Sequence, residues 1–575
     1  MRFNIFFKLM VNKRNINFFF LLIVLSFISI FLELVGLGLL IPVVSVLFDV
    51  NSFANLLNQY QQFVPNFLLN ISSEAYVSIL LILIFFIFII KNIYLFLYTK
   101  LAHQFLAKME VDLSKKILSN YLEQNYKFFI SNKSSTILAR LTKDIPIFSK
   151  STLFSIIVFV TELLLLCSFA VLVVIFNIEK FLFIALFFLS IGFFFIKLLS
   201  SRSRKLGALR QDLDSSRIKA LTRITTSIRE LILYGKKDNL LKNYMEETTS
   251  LSRVAAKHDA SLYYPKLIFE SFAILSFVML LFFLTNNNYP SSYIVTISAF
   301  FLGATYRIIP SLNKISSSIQ SISYGLKTLD ILYYDISLKP EISFTKDKIS
   351  FSNNIVFENI AFSHDLVRNN SILLNTNLEI LKNQKVAIIG PSGSGKSTFT
   401  DMLTCLILPQ EGKMKIDGLT IDDPLLARKW QNCISYVSQN PSLFDDTILN
   451  NITLATDNNA IDARLLEEVV EASVLTNFIN SLPNKLNTEV GEIGNQLSGG
   501  QRQRIAIARA LYHKKQVLIF DEATNAINSE IENKIFDYIL CNKELTFFAI
   551  SHQLSNFKRF DRKITIKNQN MVEIN

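Results

Sequence analysis

The stretch that decides the fold is Gly390-Pro391-Ser392-Gly393-Ser394-Gly395-Lys396-Ser397-Thr398, entered directly from the apolar run Val386-Ala387-Ile388-Ile389. It matches G-x-x-x-x-G-K-[ST], in which a buried strand feeds a glycine-rich turn and the turn opens a helix. Backbone N–H groups of such a turn cradle phosphate oxygens at the positive end of the helix. Gly390, Gly393 and Gly395 permit the tight path and the close approach of phosphate to backbone. Lys396 is expected to neutralise the outer phosphates and the Ser397 hydroxyl to ligate Mg2+, with Thr398 supporting the inner phosphates.

Outward from this loop, further elements follow in a fixed order. Gln439 comes just after the strand-like Ile434–Val437, then Leu497-Ser498-Gly499-Gly500-Gln501, then Asp521-Glu522 closing the apolar run Val517–Phe520, then His552. Asp521, at the end of this run, is expected to hold Mg2+ indirectly, and Glu522 to be the base that polarises the attacking water. The glycines and the Ser498 hydroxyl offer donors suited to a γ-phosphate at a helix N-terminus. The set implies binding and hydrolysis of ATP.

The rest of the chain lives in a different solvent. Of 575 residues 51% are hydrophobic and 51 are Phe, and the mean hydropathy is +0.36. The apolar residues concentrate in the first 315 positions, where six runs at about 17–47, 76–98, 151–176, 178–201, 263–285 and 292–313 are long enough to span a bilayer. The first run is too long for a removable signal, and no peptidase domain is expected before it. Lys and Arg are absent from Asp49 to Ile90 and from Leu267 to Tyr306, but crowd 108–150 and 202–257. Positive charge marks the cytoplasmic side, so both termini and the ATPase half are cytoplasmic. The formal net charge of +12 is thereby assigned to topology rather than to nucleic acid. The four cysteines lack metal-ligand spacing. These features divide the chain into a transmembrane domain (1–325), a linker (326–354) and a nucleotide-binding domain (355–575).

Ionisable residues inside spans are functional candidates. Lys91, Lys266 and Arg307 fall at a similar depth toward the inner leaflet, where they could hold a phosphate or pyrophosphate, unless Lys266 is taken by Glu270 one turn away. Glu33 and Glu162 read as partners of bundle-internal ion pairs. The first outer loop repeats Phe53, Leu56, Leu57, Tyr60, Val64, Phe67 and Leu68 at helical spacing, which suits a helix packed on the spans or one that meets lipid. Turns near 126–133 and 231–237 are expected to touch the ATPase half.

The order and spacing of the phosphate loop, the Leu-Ser-Gly-Gly-Gln run and the Asp-Glu strand resemble the ATP-binding-cassette (ABC) superfamily. That resemblance implies a six-helix transmembrane bundle of the ABC exporter type followed by an α/β P-loop ATPase domain, working as a dimer. It implies that Gln439 reaches Mg2+ and the attacking water, and that His552 contacts the γ-phosphate and orders the water at Glu522. Ser498, Gly499, Gly500 and Gln501 would contact ATP held by the opposite subunit, so a chain with one cassette must dimerise, and a homodimer is expected. The run Thr488–Glu492 resembles the segment that marks exporters. Two positions depart from the family pattern. His364 stands where a Tyr usually stacks on adenine, and Asn525-Ala526-Ile527-Asn528 replaces Ser-Ala-Leu-Asp.

The membrane half resembles the bacterial flippases of lipid-linked oligosaccharides, through its six-span layout, its apolar outer loop, and Tyr306-Arg307-Ile308-Ile309-Pro310 with Lys91 and Lys266. The expectation is export of a polyprenyl-pyrophosphate-linked oligosaccharide across the inner membrane. The alternatives are another lipid of the lipid A type, a drug, a peptide, or a non-translocating ATP-gated regulator.

Overall fold

The computed structural model describes residues 2–38, 73–175, 180–287, 289, 291–342, 345–363, 373–454, 461–491, 494–552, 557–567 and 570–574. The outer-loop repeat at 53–68 and His364 lie outside these residues, as does part of the exporter-type run, at Glu492. The chain forms two compact units, one of 1–122 with 131–339 and a second of 123–130 with 340–575.

The first unit is built from long helices: α1 (Lys13–Gly38), α2 (Ser73–Leu122), α3 (Phe154–Ile175), α4 (Lys180–Thr226), α5 (Lys237–Asn286) and α6 (Ser291–Ser337). Among the described residues, four segments are long and apolar enough to cross a membrane: 13–36, 81–122, 134–171 and 237–286. The expected spans at 178–201 and 292–313 fall on α4 and α6. Along α2 the apolar side chains Phe85, Phe86, Ile89, Ile90, Ile93 and Phe96 are exposed, as a lipid-facing surface requires. α2 and α5, of 50 residues each, and α4 and α6, of 47 each, are far longer than the ~20 residues that cross a bilayer, so the basic loops are extensions of these spans. Two short helices follow the long ones, Tyr126–Ser131, nearly all of which groups with the second unit, and Ile228–Tyr234, stopped by Gly235 at φ 61°. Ahead of α3 the chain widens into π-turns at Arg140–Asp144 and Phe148–Leu153, on either side of Pro146, which has no N–H to give the helix.

Glycines let the cytoplasmic extensions close on one another. A Cβ on Gly207 of α4 would lie 2.0 Å from the Tyr324 carbonyl oxygen of α6, and one on Gly325 would lie 2.0 Å from Thr152 Oγ1. Beside this contact Arg210 lies between Asp144 (3.6 Å) and Asp214 (3.9 Å) and donates to Thr328 Oγ1 at 2.8 Å. The His258 ring stacks on Tyr324 with centroids 3.9 Å apart.

The second unit carries two sheets. One is antiparallel, in the order β2 (Leu373–Leu381), β1 (Asn354–Phe362), β4 (Glu411–Ile416), β5 (Leu419–Thr420). The other runs β10 (Asn570–Glu573), β9 (Arg562–Lys567), β3 (Lys385–Ile389), β8 (Thr546–Ser551), β7 (Val517–Asp521), β6 (Ile434–Val437). Its pairs are parallel except β10 with β9. β8 is buried along its whole length and β7 along all but Asp521, which explains the unbroken apolar runs of both. Trp430 is fully buried against Phe351, and its Nε1 donates to the Leu403 carbonyl at 2.8 Å.

The linker expected at 326–354 needs correction at both ends. α6 continues unbroken to Ser337, and Ile349 and Phe351 are buried in the core of the second unit. A polar, charged composition concealed two apolar residues that anchor the segment.

Candidate functional site

In a parallel sheet, functional groups gather at the carboxyl ends of the strands. Four neighbouring strands, β3, β8, β7 and β6, end respectively at Gly390, His552, Asp521-Glu522 and just before Gln439. Motifs up to 162 residues apart in the chain therefore meet, as the His552–Gly390 contact does.

The phosphate loop leads into α7 (Lys396–Leu403), the helix expected to start at Lys396. Gly393 and Gly395 adopt φ of 78° and 101°, a region that residues with a Cβ rarely enter. The Lys396 ammonium is buried and donates to the carbonyls of Gly390 (2.8 Å) and Pro391 (3.0 Å), with His552 Nδ1 at 3.3 Å and Glu522 Oε1 at 3.9 Å. Burial lowers its pKa, against the pull of Glu522 and Asp521. Ser394 Oγ is buried and has no hydrogen-bond partner, so an oxygen-bearing ligand in the loop would satisfy it. Pro391, Ser392 and Ser397 are exposed along the loop, whereas Thr398 is buried beneath it.

Glu522 is the hub. Its Oε2 accepts from Gln439 Nε2 at 2.6 Å and Asn525 Nδ2 at 3.1 Å, and its Oε1 lies 2.7 Å from His552 Nε2. His552 Nε2 is also 3.3 Å from Ser392 Oγ, and Nδ1 is 3.1 Å from the Gly390 carbonyl. Asp521 Oδ2 accepts from the Tyr436 hydroxyl at 3.0 Å. Burial raises the Asp521 pKa, and the Glu522 charge beside it adds to the rise. The donor set offers a serine hydroxyl (Ser397), an amide oxygen (Gln439) and a carboxylate (Asp521). Those hard oxygens suit Mg2+, which takes few protein ligands and borrows phosphate oxygens. Among the described residues no three His, Cys, Asp or Glu side chains gather as a complete metal cage.

Ser498 caps α8 (Gly499–Tyr512) in a reciprocal capping box: its Oγ accepts from Gln501 N at 3.2 Å, and Gln501 Oε1 accepts from Ser498 N at 2.8 Å. Gly499 and Gly500 are needed because Ala526 stands over them, with its carbonyl oxygen 2.7 Å from where a Gly500 Cβ would be. Asn528 caps α9 (Ser529–Cys541), accepting from Ile531 N at 2.9 Å, so the departure from Asp keeps the cap.

Three residues of this site escaped the sequence reading of roles. Asn525 reads from the sequence only as a departure from the family pattern. Tyr436 is one position of an alternating strand, and Gln503, donating to the Gln439 carbonyl at 3.2 Å, is one polar residue on an amphipathic helix. Each acts through a long-range contact that leaves no local pattern.

In the membrane unit the three expected cations do not converge as a free cluster. Arg307 and Lys91 come together on one carboxylate, Glu33: Arg307 Nε and Nη2 lie 2.5 and 2.7 Å from its two oxygens, and Lys91 Nζ is 3.5 Å away. Lys266 stands apart, paired with Glu270 at 3.7 Å one turn along α5, with its side chain half exposed. An i,i+4 acid within reach explains the difference. Glu162 accepts from Lys314 at 2.6 Å and Ser311 at 2.8 Å, so both buried glutamates are bundle-internal partners.

A family model described as ABC transporter matches residues 373–525, and one described as ABC transporter transmembrane region matches residues 16–309. The chain is 36% identical over 279 residues to an ATP-dependent lipid A-core flippase of Desulfotalea psychrophila; this match covers 48% of the chain and only 47% of that protein, about half of each. It is 30% identical over 481 residues to the Pasteurella multocida protein of the same name, covering 81% of this chain and 80% of that one. It is 29% identical to a Haemophilus influenzae counterpart, covering 80% and 78%. The solved structure of a bacterial Atm1-family ABC exporter with ATP bound shares the fold, with a TM-score of 0.80 at 18% identity over 98% of this chain and 94% of that one.

Proposed function

The chain belongs to the ATP-binding-cassette transporters, as an exporter-type half-transporter, and from that premise we propose that it flips a phosphate-bearing glycolipid across the bacterial inner membrane. The observation that carries the substrate class is the likeness, over about four-fifths of both chains, to proteins named ATP-dependent lipid A-core flippase. That likeness favours a lipid A-like molecule over the polyprenyl-pyrophosphate oligosaccharide expected from the spans. The oligosaccharide remains the second reading because the Arg307 fork, set against two carboxylate oxygens, matches paired oxygens on a pyrophosphate. Half-transporters of this family are typically dimers, and a homodimer would place Ser498–Gln501 of one chain on the nucleotide of the other.

In the ATPase reaction Glu522 takes a proton from the attacking water, and Gln439, Asn525 and His552 hold its carboxylate in place. Lys396 must leave the Gly390 and Pro391 carbonyls for phosphate oxygens, an exchange of neutral acceptors for charged ones that favours the nucleotide. Mg2+, which Ser397, Gln439 and Asp521 would hold, supplies charge neutralisation for the phosphates.

The test is ATP-dependent translocation in proteoliposomes containing this protein alone, with lipid A, a polyprenyl-pyrophosphate oligosaccharide and phosphatidylcholine as probes. Movement of lipid A that is lost in Glu522→Gln and Arg307→Ala supports the first reading. Selective movement of the oligosaccharide supports the second. ATP hydrolysis with no phosphoglycolipid moved would defeat both.

A further inference from the structure

The arrangement around Glu33 answers a question the substrate site raises: what occupies a phosphate-binding arginine inside a bilayer when no substrate is there. An isolated buried guanidinium is strongly unfavourable, so it must be paired. Glu33 on α1 is 6% exposed, and its Oε2 accepts from Arg307 Nη2 on α6 at 2.7 Å. Its Oε1 lies 2.5 Å from Nε as a close ion-pair contact that is not aligned as a hydrogen bond, so Nε keeps a donor for an incoming oxygen. A phosphate takes the same edge of a guanidinium with two oxygens. The third member, Lys91 on α2, is 3.5 Å from Glu33 and also lies over the Phe88 ring at 4.8 Å. That ring is admitted by Gly36, one turn beyond Glu33, whose added Cβ would come within 3.0 Å of it. The close α1–α2 packing thus holds Lys91 to the carboxylate.

We propose that Glu33 is a built-in substitute for the substrate phosphate, released from Arg307 by exchange with an anionic lipid headgroup while Lys91 keeps it paired. This deepens the proposed function and rests on it. Two cations on one anion leave a formal excess of one positive charge, which a phosphomonoester or pyrophosphate neutralises. At no stage of the exchange is a buried charge left alone. A zwitterionic headgroup brings its own ammonium and gains less from Arg307, so the exchange discriminates between lipids by headgroup charge. Glu33 is a specificity-determining residue on this account. The other buried glutamate, Glu162, is the contrast: a lysine and a serine hydroxyl hold it, without a second cation to retain it, and it serves as a structural pair.

The experiment uses the full-length protein in phosphatidylcholine nanodiscs doped with increasing phosphatidic acid. It reads both ATPase stimulation and the thermal midpoint. In Glu33→Gln, which keeps shape and removes charge, half-maximal stimulation is expected at a roughly tenfold lower phosphatidic acid fraction, the scale of one charge-assisted hydrogen bond. Its midpoint without phosphatidic acid falls, and the lipid raises it further than it raises that of the wild type. Glu33→Asp restores the wild-type lipid dependence, and Glu162→Gln lowers the midpoint without shifting that dependence. Inorganic pyrophosphate added to the aqueous phase reproduces neither effect. A lowered midpoint in Glu33→Gln with an unchanged half-maximal lipid fraction would overturn the proposal, as would an equal response to free pyrophosphate. If wild type and Arg307→Ala respond alike to phosphatidic acid, the anionic-lipid site itself fails, and with it the reading beneath this one.

Discussion

Glu522 holds a backbone conformation that its residue type disfavours. Its φ is 51°, in the left-handed region, where an L residue gives up roughly 1 kcal/mol or more. Its N–H donates to the Ile550 carbonyl at 2.8 Å, and three side chains fix its carboxylate. Replacing it by Gln should reduce steady-state ATPase activity by about 10²–10⁴-fold while leaving ATP-dependent thermal stabilisation in place. Asn525→Ala should lower kcat about tenfold with little change in KM for ATP if the Asn525 amide, which donates to Glu522 Oε2 at 3.1 Å, orients the base. Thiol chemistry gives a check independent of activity. Burial pushes the Cys405 thiol up to about 12, so near neutral pH it stays protonated, whereas Cys541 is exposed. Maleimide at pH 7.5 should therefore label Cys541 in the native protein and reach Cys405 only after denaturation. At this scale the grouping of the candidate site was legible, because Gly390, Gln439, Asp521-Glu522 and His552 each stand at or just after the end of a strand of one sheet. Glu33 was legible as an ion-pair member but not as the partner of Arg307, since 274 residues separate them and no spacing rule spans that distance.

At the scale of elements, two contacts support what the site residues do. Tyr436 on β6 aims its hydroxyl at Asp521, and Tyr126, on the short helix Tyr126–Ser131, lies near enough to act on Tyr436 electrostatically. A carboxylate that meets a metal depends on such outer partners, so Tyr436→Phe should raise the Mg2+ concentration for half-maximal ATPase activity roughly tenfold. Gly207 is the second case. Its Cβ would press on a backbone oxygen of α6, which has no rotamer to change, so Gly207→Ala should destabilise the detergent-solubilised protein by about 1–3 kcal/mol, read as a lowered thermal midpoint. The strands β3 and β7 were legible as continuous apolar runs because both faces are covered, whereas β8, equally buried, was not read as a strand. The π-turns around Pro146 were not, since a widened turn needs the same residue types as an ordinary one. The end of α6 was also missed, because a helix leaving the bilayer changes composition without changing its backbone.

For the molecule as a whole, one cassette per chain makes the dimer a kinetic prediction. If each nucleotide is held between two chains, mixed dimers of wild type and Glu522→Gln should be slower than the average of the two. ATPase activity plotted against the wild-type fraction would then bend below a straight line, whereas independent sites would give a straight one. Chelating Mg2+ with EDTA should abolish hydrolysis in every mixture. The segment 123–130 belongs to the compact unit that otherwise begins at Pro340, and the Glu123 carbonyl accepts from the N–H groups of Glu341 and Ile342 at 2.9 and 2.8 Å. During synthesis this segment leaves the ribosome some 210 residues ahead of the neighbours it will meet, a wait of roughly 10–40 s at ordinary translation speeds. The Glu123 carbonyl must pass that interval without its native donors, close to Phe129 and Ile130, which stay exposed even in the folded protein, so the chaperones that attend the nascent chain have an address in this protein before its second half exists.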